Sequence, residues 1–282
     1  MAIHKKSLLI FLLPGLTGIL LFYGIPFFGG IYYSLTDGSF NNAWVGFDNY
    51  LSVWNNEAFK MGLANTLIMS CICAPLVWAM SFILSVMLRS AGNLTFFRNS
   101  LLMPYLMPTS AVLIIWLIAF DYGGVINRII VSFGGTRILW LASEALRVPV
   151  IIMYIWKNLG FCVVIFTAAL QAVPQAYYEF ASLEGAGFIR RELNITFPMV
   201  APTAYLVFVL AWINAFRIFK EVYFIGGAYP DPSIYTLQHY MNNMYSRLNY
   251  QNVTTAAYSF AVLVIFLFAA IYLLMMRSRR GM

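Results

Sequence analysis

Six stretches of this chain contain no Asp, Glu, Lys or Arg: 7–36, 61–88, 99–120, 158–178, 193–216 and 248–276. Each could supply the ~20 helical residues that cross a hydrocarbon core about 30 Å thick. Backbone N–H and C=O groups find no water there, so a spanning chain closes its hydrogen bonds within a helix or around a closed barrel. Barrel strands alternate polar and apolar residues, whereas residues 260–274, FAVLVIFLFAAIYLL, are apolar on every side. The expected fold is therefore all-α and integral to a membrane, with six transmembrane helices. Only 10% of residues are charged, against about 25% in soluble domains, too few to build a water-facing surface.

Charge placement orients the spans. With the N-terminus inside, Lys5, Lys6, Arg89, Arg98, Arg190, Arg191, Arg277, Arg279 and Arg280 are cytoplasmic, while Lys60, Arg128, Arg137, Arg147 and Arg247 lie outside. Basic residues concentrate on the inner face, as the positive-inside rule expects, with both termini cytoplasmic. The formal charge of +7 thus reflects topology more than an acidic partner. The apolar run after Lys6 exceeds a signal peptide's core and lacks a small-residue cleavage site, so it is expected to remain as the first span. Cys71, Cys73 and Cys162 fall inside expected spans, where small apolar packing is the ordinary role.

No linker or low-complexity tract divides the sequence, so residues 1–282 are expected to form one membrane domain. No G-x-x-x-x-G-K-[ST] loop occurs, so any ATPase driving this chain is another polypeptide. His4 and His239 are far apart, and neither H-E-x-x-H nor G-x-S-x-G is present. No catalytic residue, metal site or cofactor is assigned to the chain.

The one sizeable inner loop, 174–198, reads PQAYYEFASLEGAGFIRRELNITFP. Pro174 suits the start of a helix carrying Glu179 and Glu184, the small residues Gly185, Ala186 and Gly187 let that helix end or another backbone approach, and Pro198 opens span five. This segment resembles the EAA loop of bacterial ABC-importer permeases: Glu179, Ala181, Gly185, Ile195 and Pro198 fall in register, with Phe180 and Phe197 as apolar departures. Weaker pieces extend the likeness to the sugar-importer branch related to the larger maltose-transporter membrane subunit: 11–14 FLLP, 45–50 VGFDNY, 65–67 NTL, 170–174 LQAVP, and Trp212 followed by Gly226-Gly227.

The resemblance implies a short cytoplasmic coupling helix between spans four and five. Glu179, Phe180, Ala181, Glu184, Gly185, Ala186 and Gly187 would meet a groove of an ATPase subunit, and Arg190 and Arg191 would add charged contacts. It also implies a bacterial inner-membrane location, a second, different six-span permease subunit, two cytoplasmic ATPase subunits holding ATP and Mg, and an extracellular solute-binding protein. Transport would proceed by alternating access.

Charged side chains inside spans cost about 2.5 to 3.5 kcal/mol on insertion scales, so they and the polar groups beside them mark cavities or partners. Trp156, Lys157 and Asn158 in span four, and Trp212, Asn214 and Arg217 in span five, are the candidate substrate-contacting residues. Rings beside hydrogen-bonding groups suit a neutral sugar or oligosaccharide. The cations leave open an acidic cargo such as a phosphorylated polyol or uronic-acid saccharide. An ATP-independent secondary transporter is the reading from another class, and the lack of acids in the uncharged stretches speaks against it.

Overall fold

The computed structural model describes residues 5–89, 94–142 and 145–280, side chains being described within 11–89, 96–142 and 145–273; His4 lies outside the described residues. Six helical segments are long and apolar enough to cross a membrane: Phe11–Ser34, Glu57–Leu88, Thr109–Ser132, Arg147–Gln171, Phe188–Gly226 and Tyr250–Leu273. Pairing outside helices is limited, among the described residues, to an isolated bridge between Thr36 and Trp44.

At three spans the helices do not coincide with the uncharged stretches. Stretch 99–120 is divided between α5 (Leu94–Leu106) and α6 (Thr109–Phe120). Pro108 has no N–H and disfavours helical backbone at Met107, and its own ψ of 135° is extended. The fourth span, α8, starts at Arg147, where the second outer loop is expected to end, and so runs through Lys157 ahead of the uncharged stretch 158–178. The fifth covers Phe188–Gly226, with Arg190, Arg191, Glu192, Arg217, Lys220 and Glu221 inside it.

The chain divides into two compact units. One comprises the residues before Met61 and those after His239. Here α1 (Lys5–Ile19) continues through a π turn at Leu20–Gly24 into α2 (Ile25–Ser34), and α14 (Tyr250–Arg280) packs on α2 and on α3 (Asp48–Asn55). Gly30 leaves room for the Tyr258 hydroxyl, which donates to the Phe27 carbonyl. The VGFDNY piece fastens the loop after α2: Asn49 donates to the Ser34 and Thr36 carbonyls at 3.0 and 2.8 Å, and Tyr50 Oη meets Ser34 Oγ at 3.0 Å.

The other unit, Met61–His239, contains most of α4 (Glu57–Leu88), then α5, α6, α7 (Val125–Ser132), α8 (Arg147–Gln171), α9 (Gln175–Leu183), α10 (Phe188–Arg191), α11 (Phe197–Phe216) and α12 (Phe219–Gly226). In lipid, helix contact rests on close packing and interhelical hydrogen bonds, since lipid tails are as apolar as leucine. Trp78 donates from Nε1 to the Ala204 carbonyl at 2.8 Å, Tyr154 from its hydroxyl to the Ala211 carbonyl at 2.7 Å, and Ser85 to the Val163 carbonyl at 3.1 Å. These bonds join α4, α8 and α11. Gly160 lets α5 lie directly on α8, and the Tyr105 and Phe161 rings stack across that seam at 4.8 Å.

The segment after α12 is tied to the start of the second span through side chains of the NTL piece. Asn65 donates to the Pro232 and Tyr235 carbonyls, Thr66 Oγ1 accepts from the Leu237 N–H, and Arg147 donates to Asn65 Oδ1 and the Ser233 carbonyl. His239, in α13 (Leu237–Ser246), is fully buried there, ringed by Phe219, Tyr223 and Tyr235. Its Nδ1 accepts the Thr236 N–H at 3.2 Å, which requires the neutral ring. Burial pushes this imidazole from an ordinary 6.5 down to about 4. A depressed histidine contributes stability that is present above pH 6.5 and is lost as pH falls through about 4, because the unfolded chain binds the proton first. Acidification from pH 7 to 4 should therefore remove about 3 kcal/mol from this region. Thermal melts of the purified protein should show that fall, and His239→Gln should flatten it; equal pH slopes for the two proteins would refute the assignment.

Candidate functional site

Loop 174–198 is built by local rules. Pro174 caps α9 with extended backbone, ψ 132°. At the other end the Gly185 N–H donates to the Ser182 carbonyl at 3.1 Å and the Ala186 N–H to the Ala181 carbonyl at 2.9 Å. Those bonds, with φ of +74° at Gly185, form a Schellman end, so glycine serves here to end the helix. Gly187 caps α10, and a π turn at Glu192–Thr196 leads into α11, its widened ladder closed by the Phe197 N–H on the Glu192 carbonyl.

Tyr178 is the buried residue of α9, 7% exposed. The opposite face presents Glu179, Phe180, Leu183 and Glu184, with Gly185, Gly187 and Arg190 also exposed and Ala181, Ala186 and Arg191 half-buried. Phe180 is 71% and Leu183 87% exposed, apolar surface that the chain by itself leaves uncovered.

Behind the loop lies a polar cluster absent from the sequence-derived candidates. Arg89, just past α4, donates from Nη1 to the Tyr178 hydroxyl at 2.7 Å and from Nη2 to Glu192 Oε1 at 2.5 Å. Tyr178 Oη also meets Thr196 Oγ1 at 2.8 Å. A hydroxylated ring and a lone acid in a polar loop were the available signals, but their partner lies 103 residues from Glu192.

The intramembrane candidates separate by burial. Lys157 Nζ lies 2.9 Å from Glu221 Oε1 and 2.5 Å from Thr109 Oγ1, joining α8, α12 and the start of α6. Asn158 is buried and donates to the Tyr154 carbonyl of its own helix at 2.9 Å. Trp212 is 2% exposed, its ring edge-on to Phe216 at 4.6 Å. Trp156 is 38% exposed and meets Trp116 edge to face at 5.7 Å. Asn214 is half-buried and Arg217 exposed at the break between α11 and α12. An open concavity of about 610 Å³ lies elsewhere, along the α5–α6 break, with Asn99, Ser100, Met103 and Met107 on its wall.

Residues 79–280, which contain the loop, its Arg89 cluster and the Lys157–Glu221 pair, match the family of binding-protein-dependent transport system inner membrane components. The chain belongs to that family. The permease is 30% identical over 213 residues, 74% of this chain and 68% of the relative, to the sulfoquinovosyl glycerol transport system permease protein of Agrobacterium fabrum. It is 29% identical to the trehalose/maltose transport system permease protein of Thermococcus litoralis, over 95% of this chain and 93% of that one. Its fold matches a chain of a solved bacterial ABC transporter involved in the import of the acidic polysaccharide alginate, with a TM-score of 0.79 at 23% identity over 97% and 96% of the two chains. The permease is thus a multi-pass inner-membrane protein, as its six apolar helices require.

Proposed function

We propose that this permease is one membrane subunit of a binding-protein-dependent ABC importer for a neutral sugar or short oligosaccharide. The observation that carries the reading is the family match over 79–280, joined to an α9 whose exposed face bears Glu179, Phe180 and Leu183 between a proline cap and a left-handed Gly185. Such a face fits the groove of a cytoplasmic ATPase subunit, with Arg190 and Arg191 at its margin. ATP and Mg²⁺ act on two such subunits, an extracellular binding protein delivers the cargo, and a second, different permease completes the path. The open concavity beside Asn99 and Ser100 supports a wall that needs another subunit. An ATP-independent transporter has no observation on its side.

Sugar is supported by the relatives that carry trehalose/maltose and sulfoquinovosyl glycerol in their names. Neutral cargo is supported by the Lys157–Glu221 pair: the ammonium already has its counter-ion, so it is no open clamp for an anion. The solved alginate importer is the reason to test an acidic saccharide as the second reading.

Uptake by variants separates the two. Losing one partner of a buried pair strands the other charge at a cost of about 3 to 5 kcal/mol, whereas replacing both is often neutral. Lys157→Met alone should thus lower the yield of folded complex, while Lys157→Met with Glu221→Gln should restore both yield and uptake. Trp156→Ala should cut uptake at limiting substrate roughly 5- to 150-fold if its exposed ring stacks on the sugar. Recovered yield without uptake in the double variant, with Trp156→Ala normal, would favour the acidic cargo and overturn the neutral one.

A further inference from the structure

The Arg89 cluster does more than close the loop on itself. It joins three elements: Arg89 follows α4, Tyr178 is the inward residue of α9, and Glu192 and Thr196 are the two buried residues of the π turn that opens α11. Besides its two hydrogen bonds, the guanidinium carbon lies 4.4 Å from the centre of the Tyr178 ring. Tyr178 and Glu192 are each 7% exposed and Thr196 is fully buried, so water replaces these bonds poorly. Glu192 Oε2 is buried without a protein partner, which leaves Arg89 as the counter-charge this carboxylate has at hand. A π turn is a widened stretch of helix found disproportionately at functional sites, and here both side chains it buries are held by one cluster.

We propose that Arg89 is a positioning residue that pins the α9 loop to the end of α4 and the start of α11, so that a displacement of α9 moves both spans as one body. This rests on α9 being the ATPase-docking helix. A planar fork bonding two acceptors while stacking on a ring fixes orientation in a way a single ammonium does not. Without it, α9 still docks, but its movement is absorbed in the loop and ATP is spent with little transmission.

The test uses the full complex in lipid, with its ATPase subunits and its own binding protein purified with the cargo it carries. Arg89→Gln should co-purify with ATPase subunits in wild-type ratio and keep basal hydrolysis, while stimulation by the loaded binding protein falls about 3- to 30-fold, the range that coupling energies along such chains produce. Arg89→Lys should fall between, and Arg89→Glu with Glu192→Arg should recover part of the stimulation. Wild-type stimulation in Arg89→Gln would overturn the proposal. Should that variant assemble poorly, Tyr178→Phe keeps the ring and loses the hydroxyl bridge: reduced stimulation supports the pin, and full stimulation shows that the cluster only holds the loop's shape. Glu179→Lys tests the underlying reading separately, because retention of ATPase subunits at wild-type ratio in that variant would refute docking whatever Arg89 does.

Discussion

With α9 as the proposed ATPase-docking helix, Gly185→Val should abolish stimulation of ATP hydrolysis by the loaded binding protein while the permease still inserts. At φ of +74° the backbone of Gly185 occupies the left-handed region, which costs an ordinary residue about 1 to 2 kcal/mol and a β-branched one more. No atom lies within 4 Å of a Cβ placed there, so the isolated chain resists by backbone strain alone. Losing the Schellman end frees the Ala181 and Ser182 carbonyls, so the last turn of α9, which carries Leu183, should fray and the chain should leave the helix in another direction. A graded series identifies the cause. Asn tolerates left-handed backbone, so Gly185→Asn should retain more stimulation than Gly185→Ala, and Ala more than Val, if the helix end is what matters. If the ATPase groove instead requires the absence of any side chain, Asn, the larger residue, should be worse than Ala. Glu179→Lys, which reverses charge on the same face without disturbing the helix, should abolish stimulation too. Wild-type stimulation in both Gly185→Val and Glu179→Lys would refute α9 as the coupling element.

Gly160→Leu should lower the melting temperature of the detergent-solubilised permease sharply and reduce the folded yield. Even the Cβ of alanine at this position would overlap the Leu101 carbonyl and crowd the Leu102 N–H, both backbone atoms of α5 with no rotamer to escape into. The helices would have to part along the seam that Tyr105 and Phe161 close. Overpacking costs typically 1 to 3 kcal/mol where side chains give way; against backbone, a cost of about 3 kcal/mol or more is expected. Gly15→Ala is the control, since a Cβ there meets nothing within 4 Å and alanine is the better helix former. Equal melting temperatures for Gly160→Leu and Gly15→Ala would sink the close-approach account.

Six membrane-crossing segments were legible in the amino-acid sequence because exclusion of charge from hydrocarbon is a local rule, applied residue by residue. The α9 loop was legible for the same reason: a proline cap and a left-handed glycine are short-range chemistry, and their spacing carried the family likeness. The uncharged stretches by themselves stop short of the ends of spans four and five, whose helices run on through charged residues. Lys157 and Glu221 sit within helices because each supplies the other's counter-ion across 64 positions of chain. Pro108 was visible in the sequence, but the split of stretch 99–120 into α5 and α6 was not read from it. Only the tertiary structure distinguished Trp156, which keeps an exposed ring, from Trp212, packed away against Phe216, and turned Asn158 onto its own helix. Arg89 read as one more inner-face cation until the fold set it against Tyr178 and Glu192. A residue's chemistry is written in the sequence, but the desolvation that makes an ion pair or a ring matter depends on which distant segments the packing brings beside it.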